Sequence, residues 1–181
     1  MGERAPMSDL MAWNADATRM PARMHSQYLR GLFLQNDLSE GRFEVDGRPI
    51  ALTDIRAPIF CVGTEHDHVA PWRSVFKIHL FCDADVTFVL ASGGHNVGIV
   101  APPSSPKAHF RIREKQEQAP YVDPDSWLEL AEPRDGSWWS AWTGWLAAQS
   151  AGEPVAPPAL GNAAAGCPPL CDAPGTYVLQ E

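Results

Sequence analysis

The sequence predicts an α/β fold with parallel strands at its centre, on three observations. Two continuous apolar runs, IFCVG at residues 59–63 and VTFVLA at residues 86–91, read as strands buried on both faces. Between them Pro71 opens PWRSVFKIHLF, whose spacing fits a helix of about three turns. Each run also ends in a polar turn, TEHDH after the first and SGGH after the second, so the segment reads as a strand–helix–strand unit.

The other elements follow in chain order. Residues 8–40 read as helical, because Tyr28, Leu29, Leu32 and Phe33 recur at helical spacing and Asn36-Asp37 makes a stop. In RFEVDGRPIAL, Phe43 and Val45 alternate before Asp46-Gly47, and Ile50 and Leu52 follow it, which predicts a short hairpin with a type I′ turn. Residues 101–126 are polar and punctuated by proline, and read as a surface excursion. GSWWSAWTGWLAAQ reads as one helix capped by Ser137 or Asp135, with Trp138, Trp142 and Trp145 on one face. From Gly152 onward the chain is rich in proline, alanine and glycine and is expected to be extended and irregular. The expected organisation is therefore residues 1–52 with the hairpin, 53–100 with the strand–helix–strand unit, 101–150 with the excursion and the tryptophan helix, and 151–181 as a C-terminal arm.

Composition bounds the function. The 181 residues are 45% apolar, enough for a core, and carry a formal net charge of −8. No basic stripe is present to neutralise phosphates, which argues against nucleic acid as a partner. No run of eighteen apolar residues occurs, so no membrane-spanning helix is expected. The opening MGERAPMSDLMAWNADAT lacks the basic-then-apolar order of a signal peptide, so a cytoplasmic location is expected. Cys61 sits inside a strand pattern, Cys82 near a helix end, and Cys167 and Cys171 in CPPLC; none fits a disulfide or metal framework. Neither a cofactor nor a metal is expected.

The two turns after the strands hold the candidate chemistry. GTEHDHVAPW carries Asp67, and LASGGHNVG carries His95, each at the carboxyl end of a strand, where open parallel sheets gather active-site residues. Histidine is the side chain that titrates near neutrality, and a carboxylate on its far ring nitrogen fixes the tautomer and stabilises the imidazolium. Acid followed by histidine after the next strand is also the chain order of α/β-hydrolase triads. The plain alternative is that Asp and His occupy such turns because they tolerate turn conformations. A metal reading of Glu65, His66, Asp67, His68 and His95 is weaker, since neighbours on one turn do not easily converge on one ion.

A nucleophile does not accompany them. The elbow pattern Gly-x-Ser-x-Gly, or its cysteine version, occurs nowhere in the chain. Cys61 has Ile59 where the pattern needs glycine and reads as a buried, inert thiol; Cys82, between Leu80 and Ala84, fits no better.

Five stretches in order, WNADATRMP, YLRGLFLQNDL, GTEHDHVAPW, ASGGHNVGIVAPP and GSWWSAWTGWL, carry a resemblance that covers nearly the whole chain. It resembles the C-terminal part of the polyhydroxyalkanoate synthases (poly-3-hydroxybutyrate polymerases) of the α/β-hydrolase superfamily. The long arm from the tryptophan segment through GNAAAG to APGTYV is similar to that of the class working as a single type of subunit. The resemblance implies the C-terminal portion of an α/β-hydrolase fold: a partial parallel sheet, flanking helices, a cap remnant over residues 1–52 and an extended arm. It implies a Cys–Asp–His triad in which Asp67 orients His95 and His95 activates the thiol, for acyl transfer from 3-hydroxyacyl-CoA into polyester with release of coenzyme A. Asp67 has also been assigned, within the family, to the attacking hydroxyl, and His68 matches the family's Asp-His pair, with a turn-stabilising hydrogen bond as its plainer role.

By the same resemblance, the nucleophile and the larger share of the sheet precede the position of Met1, so a fragment inactive on its own is expected. The alternative is a non-catalytic interaction protein docking on a full-length synthase or a polyester granule. The tryptophan stripe could face such a granule, but packing onto the sheet is the commoner use of one.

Overall fold

The computed structural model describes residues 8–15, 17–173 and 175–176. The readings placed on residues 1–7 and on the end of APGTYV fall outside them. Helices α1 (Asp9–Ala15) and α2 (Ala22–Tyr28) open the chain. The second continues into a π-helical turn over Leu29–Leu34, where the Gln35 N–H donates to the Arg30 carbonyl at 2.9 Å. Asn36 then takes a left-handed φ of +53° and ends the run, as expected for asparagine after a helix. The hairpin is β1 (Glu44–Val45) with β2 (Arg48–Pro49), and both residues between them have positive φ (Asp46 +50°, Gly47 +71°), as a type I′ turn requires.

The strand–helix–strand unit is present as β3 (Ile59–Thr64), α3 (Trp72–Val75), α4 (Ile78–Phe81) and β4 (Val86–Ala91). The strands are parallel and in register from Ile59↔Val86 to Thr64↔Ala91. The expected single helix is broken in two. Pro71 caps the first piece from outside, and the i→i−3 bonds from His79 N–H to Phe76 (3.1 Å) and from Leu80 N–H to Lys77 (2.8 Å) tighten the join.

Residues 101–126 are not a surface excursion. They contain β5 (His109–Lys115), antiparallel on β4, followed by α5 (Pro124–Leu130) and β6 (Glu132–Asp135). The sheet order is β3-β4-β5-β6, so the fold is α/β with a mixed sheet, parallel only at its first pair. In β5 the apolar Phe110 and Ile112 alternate with Arg111 and Arg113, which is the pattern of a strand with two different faces. The Arg111 guanidinium donates to the carbonyls of Leu128 and Ala131, so the charged face is covered by the end of α5. Asp123 begins α5 by accepting from the N–H groups of Asp125 and Ser126, and Pro124 takes the first helical position.

Helix α6 (Trp139–Ala148) follows, and Ser137 supplies its cap by accepting from the Trp139 N–H at 3.1 Å. Trp138 therefore lies just ahead of the helix rather than in it. The core lies on both faces of the sheet. Phe76, Val86, Phe88, Leu90, Trp127 and Ala131 fill one side, beneath α3, α4 and α5. Val89, Ala91, Phe110 and Trp138 fill the other. On the first side Phe88 meets Phe76 (centroids 5.0 Å, 79°) and Trp127 (5.2 Å, 88°) edge to face, pairs worth about 0.5–1.5 kcal/mol each beyond their burial.

The chain divides into two compact units after Thr143. Taken by itself, the second opens with the end of α6 and is irregular through most of its remaining described residues. A 3₁₀ turn, Ala163–Ala165, is capped by the Asn162 side chain and closed by Gly166 at a φ of +76°. Val155, Leu160 and Leu170 stand exposed on this unit. Among the described residues no helix is long and apolar enough to cross a membrane.

Candidate active site

The ends of β3 and β4 are adjacent in register, Thr64 opposite Ala91, so the turns that follow them leave the sheet side by side. Two backbone bonds tie the turns together: the Glu65 N–H donates to Ala91 and the His66 N–H to Gly93, each at 2.9 Å. This is why residues twenty-eight apart in sequence meet. His95 Nδ1 lies 2.9 Å from Asp67 Oδ2. The acid and base expected from the sequence form one hydrogen-bonded pair.

Asp67 is held from both of its oxygens. Oδ1 accepts from the N–H groups of Val69 and Ala70, each at 2.8 Å, an Asx-type turn that fixes the carboxylate before His95 reaches it. The Ala70 amide, then His95 and the Val69 amide, hold the carboxyl below its ordinary value, against an upward push from desolvation. It is thus an anion at neutral pH. The Asp67 side chain is 8% exposed and that of His95 is 45% exposed. A sheltered acid orients a presented base. With Nδ1 taken by the carboxylate, Nε2 is the nitrogen left for proton transfer.

His68 plays no part in holding the turn. Its side chain is exposed and makes no hydrogen bond among the described residues; the Asp67 carboxylate does the stabilising instead. The Cys61 thiol is not activated. It packs against the core beside Phe88, and burial pushes its thiol up to about 11, the opposite of activation. Cys82 is buried in the core and reduced.

A further pair stands on the same rim and was not legible in the sequence. His109, at the start of β5, places Nε2 3.6 Å from Glu65 Oε2, and its backbone N–H donates to Ser92 Oγ at 3.0 Å. These residues, with His66, Val97 and Lys107, line an opening beside the His95 loop. β5 brings His109 there, and its charged, proline-flanked sequence does not predict that strand.

No family model matches the chain. Individual relatives do. It is 39% identical over 182 residues to poly(3-hydroxyalkanoate) polymerase 2 of Ectopseudomonas oleovorans, a match covering 100% of this chain and 31% of that protein. It is 42% identical over 138 residues to the poly(3-hydroxyalkanoate) polymerase subunit PhaC of Rhizobium meliloti, covering 76% of this chain and 22% of the relative. The chain belongs to the poly(3-hydroxyalkanoate) polymerase family. A third member, the polymerase of Methylorubrum extorquens, is 40% identical over 98% of the chain. The chain spans about a third or less of the length of these curated relatives, 31%, 22% and 29% respectively.

Proposed function

We propose that this chain supplies the acid–base half of the acyl-transfer centre of a poly(3-hydroxyalkanoate) polymerase, within the C-terminal portion of an α/β-hydrolase fold. The observation that carries the reading is the Asp67–His95 pair, an anchored carboxylate on Nδ1 of a histidine that stands open at the end of a parallel strand pair. In the assembled centre, His95 Nε2 takes the proton of a cysteine thiol that lies outside this sequence. The thiolate attacks the thioester carbon of a 3-hydroxyacyl-CoA, the carbon–sulfur bond to coenzyme A breaks, and the proton on His95 leaves with the coenzyme A thiolate. The acyl group is then held on cysteine until a 3-hydroxyl, giving its proton to the same pair, attacks the acyl carbon; the carbon–sulfur bond to cysteine breaks, the new ester bond lengthens the polyester, and the proton on His95 returns to the cysteine sulfur. Asp67 keeps His95 in the tautomer that this cycle needs. Such a chain works in the cytoplasm, at the surface of the polyester granule, and is inactive without the nucleophile.

A chimera tests this. Residues of the E. oleovorans polymerase 2 aligned with this chain are replaced by it, and coenzyme A release from 3-hydroxybutyryl-CoA is followed. Release that falls by at least about 10³-fold on His95→Ala supports the reading. A folded chimera that releases no thiol, or releases it unchanged after His95→Ala, overturns it.

One observation favours a second reading, that of a non-catalytic partner of a full-length polymerase. The segment before β1 exposes Trp13 (67%), Phe33 (67%) and Leu34 (80%), an unusual density of large apolar side chains for a free surface. Co-purification with a complete polymerase, lost on Phe33→Asp and Leu34→Asp, would support that role; no co-purification would end it.

A further inference from the structure

In the GSWW stretch that opens the tryptophan helix, each of the four residues makes a hydrogen bond outside the helix. Gly136, at a φ of +90°, turns the chain out of β6 and donates its N–H to Ala108 at 2.7 Å. Ser137 Oγ donates to the Ala101 carbonyl, while accepting from the Trp139 N–H. Trp138 Nε1 donates to the Gly98 carbonyl at 3.0 Å. Trp139 Nε1 donates to the Ile99 carbonyl at 2.9 Å. Three adjacent side chains thus take the carbonyls of residues 98, 99 and 101, all within the loop that begins at His95.

That loop has little else to hold its far end. Upstream of His95 it is fastened to the sheet, by the His66 N–H on Gly93 and the Ser92 N–H on His109. Downstream, its own bonds are local: Gly98 N–H to Gly94 at 2.9 Å and Val100 N–H to Asn96 at 2.8 Å. These shape the turn, and Gly98 packs closely on Thr64 at the end of β3, but no backbone bond among the described residues ties residues 96–101 to the sheet. The fixed body is Trp138, 8% exposed and stacked on Phe60 of β3 (centroids 6.3 Å, 27°). A buried ring packed on a strand cannot follow a moving loop, so it holds the loop in place. The carbonyls of Gly98 and Ala101 lie in a sheltered setting, where a hydrogen bond is costly to leave unmade.

We infer that Ser137, Trp138 and Trp139 are positioning residues for the base: they clamp the loop downstream of His95 and so set the ring against Asp67. None of them touches the reacting atoms. The inference rests on the proposed role of His95 for its catalytic consequence, but not for its structural one. It also explains why two adjacent tryptophans occur where a helix face would use only one of them. Trp138 packs on the sheet and Trp139 packs edge-on beside it (centroids 6.4 Å, 82°), so both indoles reach the same loop.

The test uses the full chain with Trp139→Phe, which keeps the ring and removes the donor, and with Ser137→Ala. Ser137→Thr is the conservative variant that retains the hydroxyl, and Trp138→Phe is added where it folds. In the chain alone, exchange of the His95 Nδ1 proton with water is measured by NMR, with thermal unfolding recorded alongside. The expected result is exchange faster by about tenfold or more in Trp139→Phe and Ser137→Ala, with native-like cooperative unfolding and recovery in Ser137→Thr. In the chimera, the same variants lower kcat by about 10- to 100-fold while KM holds, the signature of a displaced catalytic group. An unchanged Nδ1 exchange rate in both donor-deleting variants overturns the inference. If the parent chimera releases no coenzyme A, the proposed function fails, and the exchange measurement still decides the clamp.

Discussion

Thr64 and Gly98 meet where the two turns of the site cross. A Cβ built on Gly98 would stand 2.5 Å from Thr64 Cγ2 and 2.9 Å from the carbonyl oxygens of both Gly94 and Ser92. Only glycine leaves room for the end of β3 and the His95 loop to lie against one another. Gly98→Ala is expected to destabilise the chain by about 1–3 kcal/mol, as overpacking of a closed site does. Thr64→Ser, which deletes the methyl, should recover only part of that loss in the double variant, because the two carbonyl contacts remain. Chemical denaturation of the four species checks this, and full recovery would show that the carbonyls are not the obstacle.

Thr64 makes a second prediction. Its Oγ1 is buried and has no hydrogen-bond partner among the described residues. Thr64→Val replaces that hydroxyl with a methyl of the same shape and should raise the unfolding free energy by about 1 kcal/mol. A loss of stability on this change would mean that the hydroxyl has a partner in solution.

Asp67 makes stability depend on acid. Its carboxyl is held below the ordinary value of 3.8, chiefly by the Ala70 amide, with His95 and the Val69 amide adding to it. A group lowered in the folded state contributes its full stabilisation above the unfolded value, and loses it as pH falls through the folded one. The stability difference between the wild-type chain and Asp67→Asn should therefore be present at about pH 5 and shrink progressively below about pH 4. Urea unfolding at stepped pH measures it. A difference constant down to pH 2 would place the carboxylate outside the network.

Much of this site was legible before any coordinates, and the reason is physical. VTFVLA is buried on both faces and IFCVG packs, partly buried, against the clusters on both sides, so their apolar runs are unbroken, and the polar turns after them stand out by contrast. The missed strand, HFRIREK, is buried differently. Phe110 and Ile112 enter the core while Arg111 is paid off by carbonyls of α5, so charge in the sequence hid a covered face. The period-2 alternation of HFRIREK is a strand signal, but the prolines on either side of it are a loop signal of equal weight. The GSWW stretch was legible as a motif but not as a clamp, because side-chain bonds to loop carbonyls leave no periodicity.

The thiols separate by environment. Cys61 is pushed up to about 11 by burial, whereas Cys167 and Cys171 are exposed. At pH 8 the thiolate fraction of Cys61 is smaller than that of an ordinary cysteine by about two orders of magnitude. Iodoacetamide should modify Cys167 and Cys171 first, with Cys61 and Cys82 lagging by a factor of about 100 or more, as read by peptide mass spectrometry. The sign for stability is opposite to that of Asp67: with the thiol raised in the fold from 9.0, its contribution is whole below pH 9 and is lost as pH climbs towards 11. Cys61→Ala should leave coenzyme A release by the chimera intact. A large loss of release would return Cys61 to the list of nucleophiles.

The tautomer of His95 tests the central claim most directly. ¹⁵N chemical shifts of the ring in the isolated chain distinguish a proton on Nδ1 from one on Nε2. With Asp67 Oδ2 at 2.9 Å, Nδ1 carries the proton and Nε2 is bare, and Asp67→Asn removes that preference. A wild-type ring protonated on Nε2, unmoved by Asp67→Asn, would contradict the account.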